Sequence, residues 1–235
     1  MATLIASKTV ILCAKLVAAR KPELVGRASS KCSQPVSAET ASRDAFLLPP
    51  SAASPPMIVL QTDRLILRYL TTDDAEFVLR LVNDPSFIAN IGDRGIRSLE
   101  QATNYLLDGP MSSYRHHGHG PYMVALKAAL VPIGLCGLLK RLQFDDVDLG
   151  YALLPEFWRQ GFAFEAASAV LDYAYDSLNL PRTLGLVSPD NAPSIRLLEK
   201  LGFEFSELRQ MKEDGPPTAV YMHTSSRTRN RPPVT

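Results

Sequence analysis

The stretch GYALLPEFWRQGFAFEAASAVLDYAY, from Gly150 to Tyr175, constrains the fold more than any other segment, because it predicts a strand, a tight turn and a long helix in succession. The strand VDLGYALL stops at Pro155, which lacks the backbone N–H that a strand interior needs. From Gly161 to Leu178 apolar residues recur at helical spacing and predict an amphipathic helix. The chain therefore passes from a buried strand to a helix start through one short polar turn.

The start of this helix has the features of an anion-binding site. The first N–H groups of a helix have no internal partner, and the helix dipole adds positive potential there. Gly161 allows the backbone to approach a ligand closely, and Ala163 is small, which is the arrangement of a phosphate-binding helix start. An ordinary strand–helix turn would carry the same residues. The P-loop and the dinucleotide fingerprint are excluded, because the first needs Gly-Lys-Ser/Thr and the second needs three spaced glycines.

Composition limits the class of protein. The chain has 235 residues, 46% of them hydrophobic, and a net charge of +1, with 25 basic and 24 acidic side chains. A chain of this length can form one good-sized core. Because its positive and negative charges nearly cancel, the sequence gives no reason to expect a nucleic acid or a membrane surface as partner. The three cysteines are widely spaced, which indicates neither a disulfide framework nor a metal cluster. We expect a cytoplasmic protein, either a monomer or a homodimer.

Three regions differ in composition. Residues 1–56 are rich in Ala, Ser and Pro, poor in acids, and end in the linker-like LLPPSAASPP. This predicts a disordered leader, with a mitochondrial transit peptide as the alternative. Residues 57–224 form the compact domain, and residues 225–235 form a disordered basic tail.

Within 57–224 the patterns predict the order β-α-α-β-β-β-α-β-α-β-β, an α/β domain with a largely antiparallel sheet. The segments are the strand IVLQTDRLILRYL, the helices TTDDAEFVLRLVND and SLEQATNYLLDG, the hairpin PYMVALKAA and IGLCGLLKR, the strand VDLGYALL, the helix 161–178, the strand RTLGLVS, the helix 194–201 and the strands FEFSELRQM and TAVYMHT.

Three of these segments resemble the GCN5-related N-acetyltransferase (GNAT) superfamily, in order and in spacing, and the RimJ/RimL-like branch most closely. They are LQTDRLILRYLTTDDAEFVLRLVNDP, VDLGYALLPEFWRQGFAFEAASAVLDYAYDSLNL and SPDNAPSIRLLEKLGFE. The resemblance implies the GNAT fold, a mixed and mostly antiparallel sheet that is splayed in the middle and flanked by about four helices. It implies acetyl-CoA in the gap of the splayed sheet as co-substrate, and no metal.

The resemblance also implies which residues contact acetyl-CoA. The pyrophosphate would lie on the turn, and the pantetheine arm would add to the strand end. Trp158 departs from the family's usual Gln or Arg at the first position of the turn, which costs little if backbone amides do the binding. The implied cofactor-binding residues are Leu153, Leu154, Trp158, Arg159, Gln160, Gly161, Phe162, Ala163, Asn191 and Ser194.

The implied reaction is transfer of the acetyl group to a primary amine, on a protein N-terminus or a small molecule, by direct attack. Asp148 occupies the place where the family often carries its general base, although an exposed strand residue would fit equally well. Asn191 is both a good helix cap and the match of the family's cofactor-binding Asn. Leu198 stands where many relatives carry a tyrosine acid, which leaves Ser194 or water for that role. A catalytically idle CoA-binding module is the alternative.

The segment RHHGHG brings His116, His117 and His119 close together in sequence. Neither a nearby cysteine nor helical histidine spacing supports a metal site there. These histidines precede the hairpin at which the resemblance implies the acceptor cleft, so contact with the acceptor substrate is the minor alternative that we retain for them.

Overall fold

The computed structural model describes residues 57–211 and 215–225, which contain eight strands and six α-helices. The strands are β1 (Ile58–Gln61), β2 (Leu65–Arg68), β3 (Pro121–Leu126), β4 (Pro132–Lys140), β5 (Val147–Leu153), β6 (Arg182–Val187), β7 (Glu204–Gln210) and β8 (Pro217–Thr224). The helices are α1 (Ala75–Val82), α2 (Pro85–Asn90), α3 (Leu99–Asp108), α4 (Pro110–His117), α5 (Phe162–Asp176) and α6 (Ala192–Lys200).

The eight strands form one mixed sheet in the order β1-β2-β3-β4-β5-β6-β8-β7. Every neighbouring pair is antiparallel except β5 and β6, which are parallel and joined through α5. This is the mixed, mostly antiparallel sheet expected from the sequence, and it confirms the predicted fold class.

Apolar side chains cover both faces of the sheet, because alternate residues of a strand point to opposite sides. Helix α5 packs on one face, where Ala166, Ala167 and Val170 are fully buried. Helices α1 and α3 pack on the other face, where Val78 and Leu106 are fully buried. We call these the α5 face and the α1 face.

The first predicted strand is in fact a hairpin of β1 and β2. The turn between them is closed by Thr62, whose N–H donates to the carbonyl of Leu65 at 2.9 Å while its Oγ1 accepts from the Leu65 N–H at 2.9 Å. The alternating pattern continued through this turn, so the single-strand prediction was wrong at residues 62–64.

Two short helices, α2 and α4, add to the four that the sequence predicts. Each begins with a proline at its first position, Pro85 and Pro110. The helix predicted from Ser98 is confirmed as α3, and the Ser98 side chain accepts from the N–H of Gln101 at 3.2 Å. Gly202 follows α6 with a φ of 88°, as a helix-ending glycine requires.

In residues 57–211 and 215–225, none of the helices combines the length and the hydropathy that crossing a membrane would require. The leader 1–56 and most of the tail 225–235 lie outside the described residues. The disordered leader, its transit-peptide alternative and the cytoplasmic location therefore stay predictions.

Candidate active site

A V-shaped gap separates β5 from β6. The two strands are paired where Val147 meets Thr183 and where Asp148 meets Leu184. Beyond these two pairs, β5 continues to Leu153 and β6 continues to Val187, and the described residues of the two strands do not pair with each other any further. The gap therefore has its apex beside Asp148 and opens toward the turn that follows β5.

Leu153 presents its backbone polar groups to this gap. It lies opposite Gly134 of β4, and the next residue, Leu154, donates its N–H to the carbonyl of Ile133 at 2.9 Å. Because residues of an antiparallel strand bond alternately to one side, the amide and carbonyl of Leu153 point away from β4. The carbonyl of Leu154 already accepts from the N–H of Phe157 at 3.0 Å. Of the two predicted strand-end contacts, Leu153 is the one whose backbone faces the gap.

The wide end of the gap is closed by the turn that sequence analysis singled out. A single 3-10 turn over Pro155–Phe157 ends β5, and the chain then takes the left-handed conformation at Arg159, with a φ of 59°, and at Gly161, with a φ of 82°. At Gly161 a side chain would be strained in this conformation. The side chain of Arg159 is exposed beside the turn.

The N-terminus of α5 has backbone amides that the helix does not use. The first bond within the helix runs from the N–H of Glu165 to the carbonyl of Gly161 at 3.0 Å. The amides of Phe162, Ala163 and Phe164 therefore precede the helical ladder, and Gly161 has no side chain to cap them. Together with the helix dipole, these amides favour a negatively charged ligand.

Arg64, from the β1–β2 turn, holds this helix start in place. Its Nε donates to Glu165 at 2.6 Å, its Nη1 donates to the carbonyl of Gln160 at 3.0 Å, and its guanidinium lies 4.4 Å from the centre of the Phe162 ring. Thr62 donates to the same carboxylate at 2.5 Å. Partial burial acts to raise the pKa of Glu165, but the hydrogen bonds from Thr62 and Arg64 outweigh it and lower that pKa.

The side chain of Trp158 occupies the backbone carbonyl of Leu153 that faces the gap. Its indole Nε1–H donates to the carbonyl of Leu153 at 2.7 Å, and the residue is 44% exposed. Gln160 folds back onto the preceding 3-10 turn, where its side-chain amide donates to the carbonyl of Glu156 at 2.8 Å. A ligand that donates a hydrogen bond to the carbonyl of Leu153 must therefore displace the indole of Trp158 from it.

Asp148 lies buried at the apex of the gap and on the α1 face. It is 2% exposed, so it is not the exposed strand residue that the sequence also allowed. Arg141 donates to both carboxylate oxygens, from Nε at 2.6 Å and from Nη2 at 2.9 Å. Burial raises the pKa of Asp148, and the charge and hydrogen bonds of Arg141 act against that rise.

The start of α6 forms the other wall of the gap. Asn191 caps this helix through its Oδ1, which accepts from the N–H of Ser194 at 3.2 Å, as the sequence predicts. Its side-chain amide also donates to Asn90 at the end of α2, at 3.3 Å. The hydroxyl of Ser194 lies 2.6 Å from the hydroxyl of Tyr151 on β5. The structure thus brings Asn191 and Ser194 to the gap and adds Tyr151 and Asn90 beside them.

Leu198 is 2% exposed and packs against Gly185 of β6, where an added Cβ would lie 2.7 Å from its Cδ2. The position that carries a tyrosine in many relatives is therefore part of the core here. Of the histidines, His119 is 6% exposed, and burial is the main cause that lowers its pKa. Residues 57–211 and 215–225 contain no group of three or more His, Cys, Asp or Glu side chains able to hold a metal ion.

Sequence reasoning missed Arg64, Glu165 and Arg141, and it favoured a packing role for Tyr151. One signal was available, because an aspartate in a strand as apolar as VDLGYALL needs a cationic partner, and Arg141 lies just upstream. The partnership of Arg64 with Glu165 spans 101 residues and has no local signature.

The geometry defines a strand-edge gap that ends at an open helix N-terminus, and comparison with known proteins gives its family. A family profile described as the acetyltransferase (GNAT) domain matches residues 64–204. The chain therefore belongs to the GNAT family, and it is an acetyl-CoA-dependent acyltransferase.

Individual relatives agree. YoaA of Bacillus subtilis, an uncharacterized N-acetyltransferase, is 34% identical over 169 residues, which are 69% of this chain and 94% of YoaA. The crystal structure of an acetyltransferase from Agrobacterium tumefaciens superposes with a TM-score of 0.60 and 26% identity, and the match covers 75% of this chain and 98% of that one. RimL, a ribosomal L7/L12 alpha-N-protein acetyltransferase, superposes with a TM-score of 0.63 over 76% of this chain and 99% of its own, at 14% identity, and so shares the fold.

Proposed function

We propose that this protein transfers the acetyl group of acetyl-CoA to a primary amine by direct attack of the amine on the thioester. The observation that supports this most is the gap between β5 and β6, which opens beyond Asp148 and ends at the uncapped amides of α5. A linear ligand with an anionic end and an amide-containing arm fits such a gap, and acetyl-CoA has both.

The anionic end of the cofactor is assigned to the turn. The diphosphate accepts hydrogen bonds from the backbone amides of Phe162, Ala163 and Phe164, which Gly161 leaves accessible and where the helix dipole also favours negative charge. Arg159 adds a charged donor at the rim, since its side chain is exposed there. The flanking positions Trp158, Gln160 and Phe162 shape the turn through the contacts described above.

The pantetheine arm is assigned to the edge of β5. Its amides pair with the backbone of Leu153 in the manner of an added strand, because that backbone faces the gap. The indole of Trp158 then leaves the carbonyl of Leu153, 2.7 Å away in this structure, and moves along the arm. Asn191 contacts the arm from the α6 side, and Leu154 supports the strand end from the core.

The amine acceptor is assigned to the α1 face of the gap. An aliphatic amine with a pKa near ~10 is protonated at neutral pH, so a base or a chain of waters must remove a proton before attack. Asp148 points to this face, and burial raises its pKa, which makes the carboxylate a stronger base. Because Arg141 occupies both of its oxygens, Asp148 accepts the proton through a water or after a shift of Arg141.

Two linked measurements on the full chain test this proposal. First, the melting temperature is followed against acetyl-CoA, with ATP and dephospho-CoA as controls. A ligand at about one hundred times its Kd stabilises the folded state by about 2.7 kcal/mol, which is a shift of several degrees. Second, free thiol is measured with acetyl-CoA and a panel of amines that includes spermidine and short peptides with free N-termini.

The expected results are a saturable shift with acetyl-CoA and amine-dependent thiol release with at least one class of amine. A saturable shift without any thiol release across the panel would contradict the transfer reaction and favour an idle CoA-binding module. The absence of any shift at millimolar acetyl-CoA in a folded sample would remove the cofactor site itself.

A further inference from the structure

One hydrogen bond crosses the gap between its two walls near the position assigned to the reacting group. The Oη of Tyr151 on β5 lies 2.6 Å from the Oγ of Ser194 on α6, and 3.3 Å from the carbonyl of Ser194. Tyr151 is two residues deeper in the gap than Leu153, or roughly 7 Å along the strand. The pantetheine arm that passes Leu153 therefore brings its terminal sulfur toward this pair.

Resting on the proposed function, we infer that Tyr151 is a positioning residue that orients the hydroxyl of Ser194 toward the thioester sulfur, so that Ser194 donates a hydrogen bond to the departing thiolate. In this chain the pair takes over the task of the tyrosine that many relatives carry at the place of Leu198. Leu198 has no polar group, and it is buried against Gly185.

The two contacts of Tyr151 with Ser194 differ in strength. The contact of 2.6 Å is a strong hydrogen bond between hydroxyls, whereas 3.3 Å to the carbonyl is long. Either hydroxyl can act as the donor in this contact, and Tyr151 is assigned as the donor to the Oγ of Ser194. A serine oxygen that accepts from Tyr151 keeps its own hydrogen for a third group, and the sulfur in the gap is that group.

Tyr151 stays protonated throughout the reaction. Burial is the main cause that raises its pKa, to about 12, against a smaller opposing effect of the hydrogen bond with Ser194. An alkyl thiol has a pKa near ~8.5, so a phenol this weakly acidic does not give its proton to the thiolate. Its contribution is a fixed donor direction, and Ser194 stabilises the negative charge as it develops on sulfur.

The electron and proton balance follows. The nitrogen–carbon bond forms, the carbon–sulfur bond breaks, and the electron pair of the broken bond goes to sulfur. The proton lost by the amine goes to Asp148 or to water, and the thiolate takes a proton from solvent after it leaves. Ser194 lies in the first turn of α6, so the dipole of that helix also favours the negative charge.

The ionisation of CoA bound to the protein tests this inference without knowledge of the acceptor. The full chain is saturated with CoA, and the ultraviolet absorbance of the thiolate is followed against pH. The same titration with desulfo-CoA, which lacks the thiol, is subtracted to remove the signal of protein groups. The variants are Tyr151→Phe, Ser194→Ala and the double variant, and Tyr175→Phe is the matched control because its hydroxyl bonds His223 at 2.7 Å, away from the gap.

We expect the thiol pKa of bound CoA to lie below that of free CoA in the wild type. Ser194→Ala and Tyr151→Phe should each raise it by about one unit, a roughly tenfold loss of thiolate at a fixed pH, and Tyr175→Phe should leave it unchanged. Because Tyr151 acts through Ser194, the double variant should match Ser194→Ala alone.

Three results would overturn the inference. An unchanged thiol pKa in Tyr151→Phe would remove the role of Tyr151, and fully additive effects in the double variant would mean that Tyr151 acts by itself. An equal shift in Tyr175→Phe would show an unspecific effect. Failure of CoA to bind at all would instead refute the proposed function, and the thermal shift detects that case separately.

Discussion

Replacement of Asp148 by Asn is the most informative perturbation of the site, because it affects both folding and chemistry. The side chains of Arg141 and Asp148 are 9% and 3% exposed. Removal of the negative charge breaks this buried ion pair, which costs about 3–5 kcal/mol. In a domain of this size each kcal/mol corresponds to about 2–4 °C, so the melting temperature should fall by about 6–20 °C.

A second variant separates the structural effect from the chemical one. In Arg141→Gln combined with Asp148→Asn both charges are absent, and two amides can still bond each other. We expect this double variant to regain most of the lost stability, since paired removal of a buried ion pair is often neutral. If Asp148 is the base, turnover should stay low in the double variant although stability returns.

The assay has two parts, thermal and urea unfolding and kcat/KM as a function of pH. Both are measured on the wild type, on the two single variants and on the double variant. Because a base must be deprotonated and burial raises the pKa of Asp148, the wild-type activity should rise with pH above the range of an ordinary aspartate. A loss of less than about 1 kcal/mol in Asp148→Asn would refute the reasoning, since exposed ion pairs are worth that little. Unchanged turnover in the double variant would refute the assignment of the base.

The remaining predictions concern the turn. Arg64→Ala should weaken acetyl-CoA binding by about 1 kcal/mol, or roughly fivefold, in a calorimetric titration, while kcat at saturation stays the same. The control is Arg209→Ala, which removes an exposed ion pair on β7 and should not change binding in the same titration. Gly161→Val should abolish measurable acetyl-CoA binding because valine strains a φ of 82°; retained affinity would argue against this turn as the diphosphate site. Because the pKa of Glu165 is lowered in the folded state, its carboxylate stabilises the fold above the ordinary glutamate pKa, and this stabilisation is lost as the pH falls through the lowered value. In that acidic window the melting temperature of Glu165→Gln should therefore depend less on pH than that of the wild type.

Much of the fold could be predicted because its signals are local. The alternation in VDLGYALL and the helical stripe after Gly161 each lie within one segment, and both elements are confirmed. The helices α2 and α4 were missed because the predicted helices end just before Pro85 and Pro110, whereas each proline stands at the first position of a new helix. A proline after a helix and a proline that begins one have the same sequence signature.

The geometry of the candidate site could be predicted only where it depends on the local backbone. The turn with Gly161 and the helix start that follows it were predicted from sequence because their signals are local, and the cofactor contacts at this turn stay a proposal. The side-chain partnerships were not found, since Tyr151 and Ser194 are 43 residues apart and depend on how α6 packs beside β5. The same holds for the occupied carbonyl of Leu153, which no pattern in the sequence shows.

The most direct test of the central claim uses the single tryptophan of the chain. Trp158 donates to the carbonyl of Leu153 in the gap assigned to acetyl-CoA, so its fluorescence reports occupation of that gap. We predict a saturable change of its emission as acetyl-CoA is added to the full chain, and no such change in Gly161→Val. Unchanged emission up to millimolar acetyl-CoA, in a wild-type sample shown to be folded, would contradict the assignment of this gap as the cofactor site.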